Sequence, residues 1–358
     1  MNAMIDSIAF SAWQGSDALR CLARHDETHN SATFVMEADY PARFVYKPGQ
    51  FVTVGVEIDG KKHVRAYSIS STPSRPETLA ITIKRVEGGL VSNYLLDHFK
   101  PSDRIDISTP AGEFCLNTDA PPKEIVLLSS GSGITPMMSI SRWLLDGGHD
   151  TLIHFIHSAR SEQDIIFREE LLELANRHRN FRLELFLSQS DKDIACYSGR
   201  LSADRLNALL PETGSCQVFL CGQQSYMEMI EAWRTDRNIG NDRFHKESFS
   251  PASAESPIDS AEVFSLSVPQ FGKTADIRAG ESLLDAMEKE GLPIIGACRS
   301  GVCGSCKCKV TEGATVSSST ATLTPQEVAD GYVLACSTHA KGAVVVDLKD
   351  DMAVSDKK

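Results

Sequence analysis

The sequence predicts a multidomain chain of mixed α+β and α/β class: an antiparallel β-barrel, then a parallel-sheet α/β domain, then a small C-terminal domain. Three observations carry this. Short strand-like runs separated by Pro, Gly and Asp/Asn turns fill residues 19–116. From 125 to about 249 the pattern changes to apolar strands alternating with helical segments, the signature of a parallel sheet covered on both faces. Near the C-terminus, Cys298, Cys303 and Cys306 form a C-x4-C-x2-C run with Cys336 thirty residues further on.

Composition sets the outer bounds. The chain has 358 residues, 42% hydrophobic and 23% charged, which is ordinary for a globular protein of two or three domains. A net charge of −12 disfavours nucleic acid or an anionic membrane as partner. No apolar run reaches the length of a membrane span, and the first sixteen residues lack the basic start and apolar core of a signal peptide. Ten cysteines in such a chain point to reduced thiols and metal ligation, hence a cytoplasmic setting. The sequence sets no oligomeric state.

The barrel is expected over 15–118, with strands at 51–58, 66–70 and 79–86. Pro121-Pro122 marks its boundary with an α/β domain over 122–249, whose strand candidates are 125–128, 152–156, 183–187 and 218–220. A Ser-, Pro- and Ala-rich stretch at 250–261 reads as a linker. The final domain, 262–350, opens with a strand at 263–268. A short helix follows, capped by Ser282 with Asp285 and stopped by Gly291.

The cysteine run determines the chemistry. Two bridged irons need four thiolates converging from different directions, and C-x4-C-x2-C with a distant fourth Cys is the plant-type ferredoxin spacing for a 2Fe–2S cluster. Gly301 and Gly304 let the loop take positive φ and bring amides near the sulfides. Structural zinc sites usually pair two CxxC units, and only one occurs within this spacing. Cys308 falls outside the ligand spacing and reads as a neighbour; the histidines show no metal spacing.

In the barrel, Arg65-Ala66-Tyr67-Ser68 joins a fixed cation, an aromatic face and a hydroxyl in one extended run. A flavin nucleotide needs these three: a guanidinium for its pyrophosphate, a flat surface beside the ring and a donor near N5. Gly88-Gly89-Leu90-Val91-Ser92 then leads from a turn into a helix start whose free amides suit a phosphate. After the strand at 125–128, Ser129-Ser130-Gly131-Ser132-Gly133-Ile134-Thr135-Pro136 is a strand–turn–helix element, with Pro136 where a dinucleotide fingerprint has its third Gly. Thr135 is expected to cap the helix and bond a phosphate. The strand at 218–220 ends in Cys221-Gly222 at the same sheet edge, where the thiol could approach a nicotinamide.

Together these residues resemble the ferredoxin–NADP reductase superfamily with a plant-type ferredoxin, a β-grasp domain, fused at the C-terminus. The resemblance is carried by RAYSISSTP (65–73), SARSEQDIIF (158–167), RFHKESF (243–249), ACRSGVCGSCKCKV (297–310) and STATLTPQEVADGYVLACSTH (319–339). The last run is similar to the branch that serves hybrid-cluster protein. The resemblance implies that Arg65 and Ala66 hold the FAD diphosphate, Tyr67 lies against the flavin and Ser68 faces N5. It implies that Gly89, Leu90 and Ser92 support the diphosphate, and that Gly131, Gly133, Thr135 and Pro136 frame the NADH site with Cys221 and Gly222 near the nicotinamide. Phe249 would be an aromatic neighbour of the flavin, and Cys298, Cys303, Cys306 and Cys336 the cluster ligands.

The chain departs from this superfamily in two places. Gln223-Gln224 follows Cys-Gly where Pro is common, and Ser188-Gln189-Ser190 lacks the Ser-Arg that binds a 2′-phosphate. The second departure favours NADH as donor, with Arg160 as the alternative cation. The implied route is NADH to FAD to 2Fe–2S to a partner, with hybrid-cluster protein, a nitric oxide or hydroxylamine reductant, as acceptor. The competing readings are the reductase component of a Rieske-type oxygenase or other monooxygenase, and a redox sensor that does not turn over.

Overall fold

The computed structural model describes residues 10–15, 17–189, 195–210, 214–249, 262–299, 301, 304–320 and 322–348. The linker at 250–261, Ser190, Cys303 and the end of the chain after 348 lie outside the described residues. Two compact units result. One comprises residues 1–63 and 67–248, and the other residues 249–358, to which 64–66 are assigned.

In the first unit, β1 (Ser11–Ala12) and β4 (Ala42–Arg43) form a short parallel pair. The barrel sheet uses β2 (Leu19–Thr28), β3 (Ser31–Glu37), β5 (Phe51–Ile58), β6 (Lys61–Ser68), β7 (Leu79–Lys84) and β8 (Arg104–Ile107), in the order β6-β5-β8-β2-β3-β7. An antiparallel bridge from Ile69, one residue past β6, to Ile81 of β7 joins the two ends of that order. The strand expected at 66–70 begins five residues earlier. Asp59 and Gly60 both take positive φ, 52° and 72°, the two-residue hairpin turn whose twist matches the flanking strands. Phe34, Val52, Val54, Ile69 and Ile81 fill the barrel, and α1 (Leu90–His98) contributes Val91 and Leu95 to the same core.

The nucleotide half is a six-stranded parallel sheet: β9 (Glu124–Ser130), β10 (Leu152–Ala159), β11 (Phe181–Leu187), β12 (Tyr197–Ser198), β13 (Gln217–Gly222) and β14 (Phe244–Ser248). Its order, β12-β11-β10-β9-β13-β14, reverses between β9 and β13. Alternation along β9 explains its continuous apolar sequence. Ile125 and Leu127 pack in one core with α2 (Ile134–Asp146) and α3 (Arg168–Arg177), while Val126 and Leu128 pack in a second core with α4 (Ala203–Leu209) and α5 (Gln224–Asp236). Both strands absent from the sequence reading, β12 and β14, are edge strands, and the charge in β14 (FHKES) hides its strand pattern.

Within this unit the barrel and the sheet are bonded together. Arg142 on α2 is mostly buried; it grips Glu170 of α3 through Nε (2.8 Å) and Nη2 and donates through Nη1 to the Ser70 carbonyl of the barrel. Asp146 of α2 accepts from Arg75 (2.7 Å) and Ser74 (2.6 Å), and Ser139 donates to the Ser71 carbonyl.

The second unit has β15 (Val263–Val268), β16 (Lys273–Arg278), β17 (Lys307–Glu312), β18 (Thr315–Ser317), β19 (Tyr332–Leu334), β20 (Thr338–Ala340) and β21 (Val344–Asp347). Five form a mixed sheet, β16-β15-β21-β17-β19, and β18 pairs with β20. Helix α6 (Leu283–Lys289) buries Leu283, Leu284 and Met287 in this unit's core; Ser282 Oγ accepts from the Asp285 amide, as the sequence predicts. Helix α7 (Pro325–Ala329) starts with a complete capping box between Thr324 and Glu327. Among the described residues no helix is long and apolar enough to cross a membrane.

Arg142→Ala strips a buried cation from a carboxylate and a carbonyl. Urea unfolding is expected to show a loss of about 3 kcal/mol. A loss within about 0.5 kcal/mol of zero, normal for a surface change, would mean this contact does not hold the unit together.

Candidate functional site

The reversal of strand order opens the sheet between β9 and β13, so the turns leaving their C-terminal ends diverge and leave a crevice. Hydrogen-bond register decides which side chains meet there. Ser129 of β9 stands opposite His157 of β10 on one side and Cys221 of β13 on the other, and Cys221 stands opposite Glu247 of β14. His157 Nδ1 and Ser129 Oγ are 2.9 Å apart, while His157 Nε2 is buried without a partner. Complete burial, with Lys84 nearby, pushes the imidazole pKa down to about 3, so His157 is neutral at physiological pH. Burial, and then the Glu247 charge, raise the Cys221 pKa far above the usual thiol range, so it stays a thiol.

Glu247 connects this edge to the barrel. It is 5% exposed and accepts a 3.1 Å hydrogen bond from Ser68 Oγ at the end of β6. Sequence reasoning singled out Ser68 and Cys221 but missed Glu247 and His157. Glu247 lies within RFHKESF (243–249), but nothing in that run singles out the carboxylate, and His157 sits in the apolar β10; strand register brings both to this edge.

The two turns interlock. Backbone at Gly133 passes so close to β13 that a Cβ there would overlap the Cys221 carbonyl and sit 2.8 Å from the Gly222 nitrogen. Ser130 Oγ accepts from the Gln223 amide at 2.9 Å. Thr135 does not cap α2. A short 3₁₀ turn over Gly131–Gly133 runs into the helix, and the Thr135 hydroxyl donates instead to the Ser132 carbonyl at 3.1 Å. That leaves the first amides of α2 without a side-chain cap, and Pro136 lies in the first turn, where it is tolerated. A cleft of about 960 Å³ extends from here, lined by Lys84, Ser130, Gly131, Arg160, Gln189, Arg200 and Tyr226 among others. Its cations suit an anionic dinucleotide. Arg160 already holds Gln189 at 3.1 Å.

On the barrel, Arg65, Ala66 and Tyr67 are part-buried along β6, and Arg65 Nη1 donates to the Val64 carbonyl at 2.7 Å. Tyr67 packs against the barrel core. Gly89 precedes α1, whose first turn (Leu90, Val91, Ser92) has no side-chain cap and no acidic residue. Such a start is open to a phosphate, as FAD requires. Phe249, just past β14, keeps its ring 41% exposed.

In the second unit, Cys298, Cys306 and Cys336 converge, and Cys303 lies outside the described residues. The Cys336 amide donates to Cys306 Sγ at 3.4 Å. Hydrogen bonds with Cys298 and Cys306 drive the Cys336 thiol pKa up, and the bond with Cys336 lowers that of Cys306. Among the described residues no three His, Cys, Asp or Glu close on a single ion. A two-iron centre, with two thiolates to each iron, imposes no such requirement. Gly301 and Gly304 take the positive φ expected of them, 74° and 73°. Cys308 is fully buried in the core and its pKa is raised by desolvation. The residues present fit a thiolate-bound cluster.

Comparison with known proteins accords with this geometry. Three family models match: an oxidoreductase FAD-binding domain over 19–115, an oxidoreductase NAD-binding domain over 127–232 and a 2Fe-2S iron-sulfur cluster binding domain over 268–341. These define an oxidoreductase that binds FAD, NAD and a 2Fe–2S cluster. The glycine betaine monooxygenase reductase subunit of Pseudomonas aeruginosa is 36% identical over 96% of this chain and 98% of its own length. The NADH oxidoreductase HCR of Escherichia coli is 35% identical over 85% and 89%. Phthalate dioxygenase reductase shares the fold, with a TM-score of 0.65 and 21% identity over 93% of this chain and 98% of that one. The chain belongs to this family of FAD-, NAD- and 2Fe–2S-containing ferredoxin reductases.

His157 sets a pH dependence. Its folded pKa lies below its unfolded value of about 6.5, so the unfolded chain takes up a proton that the folded chain refuses. Stability from this group is full above pH 6.5 and falls by up to about 1.4 kcal/mol per unit as pH drops toward 3. In urea unfolding between pH 7 and pH 4.5, His157→Gln is expected to flatten that slope. Equal slopes in the two proteins would mean the imidazole is not held neutral.

Proposed function

We propose that the chain passes electrons from NADH to an oxygenase component, with Arg65, Ala66, Tyr67, Ser68, Gly89, Leu90 and Ser92 holding FAD. Gly131, Gly133, Thr135, Pro136, Cys221 and Gly222 frame NADH, and Cys298, Cys303, Cys306 and Cys336 hold the cluster. When bound, NADH would supply hydride donation, FAD the conversion of an electron pair to single electrons, and the cluster one-electron relay. The observation that carries the reading is the Ser68–Glu247 bond, with Cys221 in register beside Glu247.

The residues orient and insulate. The Arg65 guanidinium and the uncapped amides of α1 neutralise a diphosphate. Tyr67 supplies a flat surface, and Phe249 an exposed ring suited to stacking on a flavin. Ser68 keeps a fixed hydroxyl orientation because a buried carboxylate accepts its hydrogen bond. Cys221, a neutral thiol, packs beside a nicotinamide without competing as a nucleophile. None of these residues has to act as general acid or base, which suits hydride transfer. Ser188-Gln189 offers no cation of its own for a 2′-phosphate, and Arg160 is engaged with Gln189, which favours NADH over NADPH.

The oxygenase reading rests on relatives that match nearly end to end, including the betaine monooxygenase reductase and the stachydrine N-demethylase reductase subunit Stc4 of Rhizobium meliloti. Hybrid-cluster protein is the second reading, supported by the 35% identity to the Escherichia coli reductase. The run 324–334, part of the motif behind that reading, is taken up by the capping box of α7 and by β19, an architectural use that does not mark a partner.

Anaerobic NADH titration of the full chain tests the scheme. The wild type is expected to lose both flavin and cluster absorbance, and Cys336→Ser the flavin absorbance alone. An unaltered visible spectrum in the wild type would defeat it. Supplied with a betaine-oxygenase component or with hybrid-cluster protein, the reduced chain is expected to reduce the former at least tenfold faster; the opposite ratio would select the second reading.

A further inference from the structure

Among the described residues, three side chains of the second unit bury a polar atom that has no hydrogen-bond partner: Arg299 Nε, Thr322 Oγ1 and His339 Nε2. Burying such a group unmet incurs its full desolvation penalty, so each calls for an acceptor or a donor. His339 is of a different kind. Its Nδ1 lies 3.1 Å from the Glu281 carbonyl and must carry the proton to donate there, which leaves Nε2 an acceptor. Arg299 and Thr322 are donors.

Arg299 follows Cys298 directly and holds a left-handed backbone, φ 57°, which a residue with a Cβ adopts only when its surroundings enforce it. The enforcement is a fork onto α6: Nη1 donates to Asp285 at 3.0 Å and Nη2 to Glu288 at 2.5 Å. Buried Leu283, Leu284 and Met287 fix that helix in the core. Two of the three guanidinium nitrogens are thereby spent, and Nε–H is the one left unmet. Thr322 also borders this loop, its Oγ1 3.1 Å from where a Cβ on Gly304 would sit, and Gly304 lies two residues before Cys306. Both unmet donors therefore border the run that carries three of the four proposed ligands, where the missing acceptors would be sulfurs.

We propose that Arg299 Nε–H and Thr322 Oγ1–H donate hydrogen bonds to the sulfurs of the 2Fe–2S centre and are positioning residues that raise its reduction potential. The assignment rests on the ligand reading given above. An added electron places negative charge on the cluster sulfurs, and donors aimed at them favour the reduced form. Asp285 and Glu288 balance the guanidinium charge, so the contribution of Arg299 comes from one oriented N–H rather than from net charge.

The test uses the full chain carrying Thr322→Val, which keeps the side-chain shape without the O–H, and Arg299→Lys, which keeps the cation without Nε. Iron and acid-labile sulfide are measured first, then the cluster midpoint potential by EPR-monitored redox titration. Each variant is expected to hold parental iron and sulfide while its reduction equilibrium falls about tenfold, 59 mV for a one-electron couple. A parental potential in either variant at full cluster content overturns the proposal. If Arg299→Lys fails to retain the cluster, Thr322→Val decides alone, since it leaves the carboxylate fork untouched. A parent chain without iron and sulfide would instead overturn the ligand reading on which the proposal stands.

Discussion

The hydrogen bond from Ser68 to Glu247 is the contact on which the arrangement of the first unit turns. A carboxylate at 5% exposure is tolerable only if partners meet its charge, and one of them comes from the barrel strand that carries Arg65 and Tyr67. The bond sets the end of β6 against the edge of the parallel sheet. Register then passes the constraint inward, from Glu247 to Cys221 and from Cys221 to Ser129 and His157. Arg142 holds the same two halves together at a second place, gripping Ser70 and Glu170. The side chains proposed to flank flavin and nicotinamide are thus mounted on strands, which hold geometry more closely than free loops do.

The electrostatics of this edge are consistent. His157 and Cys221 are both kept neutral by burial, and the positive charge is confined to Lys84, Arg160 and Arg200 along the adjoining cleft. A dinucleotide would find its anionic centre met by cations and helix amides, and its reactive ring met by uncharged groups. In the second unit the problem is reversed. Three converging cysteines, as thiolates, need countercharge or donors; the cysteine loop provides positive-φ glycines and a guanidinium anchored to α6, and the Cys336 amide donates to Cys306 Sγ.

Much of this was legible in the sequence because it is local. The positive-φ glycines at 301 and 304, the Ser282 cap and the apolar strands of the parallel sheet each depend on a few consecutive residues, and the structure has them at those positions. What escaped depends on register. Glu247 sits in FHKES, a charged run that looks unlike a strand because β14 is an edge, and its burial follows only from pairing with β13. His157 lies in an apolar run and its proximity to Ser129 is set by strand alignment. Thr135 was misjudged for a different reason: the 3₁₀ turn ahead of α2 brings the Ser132 carbonyl within reach of its hydroxyl and removes it from capping. Arg299 shows no sequence signal, since its fork depends on where α6 packs.

The most direct measurement compares wild type with Glu247→Gln in anaerobic rapid mixing with NADH, following loss of flavin absorbance in a single turnover. Replacing the carboxylate with an amide weakens a charge-assisted hydrogen bond and loosens the orientation of Ser68. The flavin reduction rate is therefore predicted to fall by about tenfold or more while the flavin content stays the same. An undiminished rate in the variant would contradict the claim that this bond positions the reacting groups.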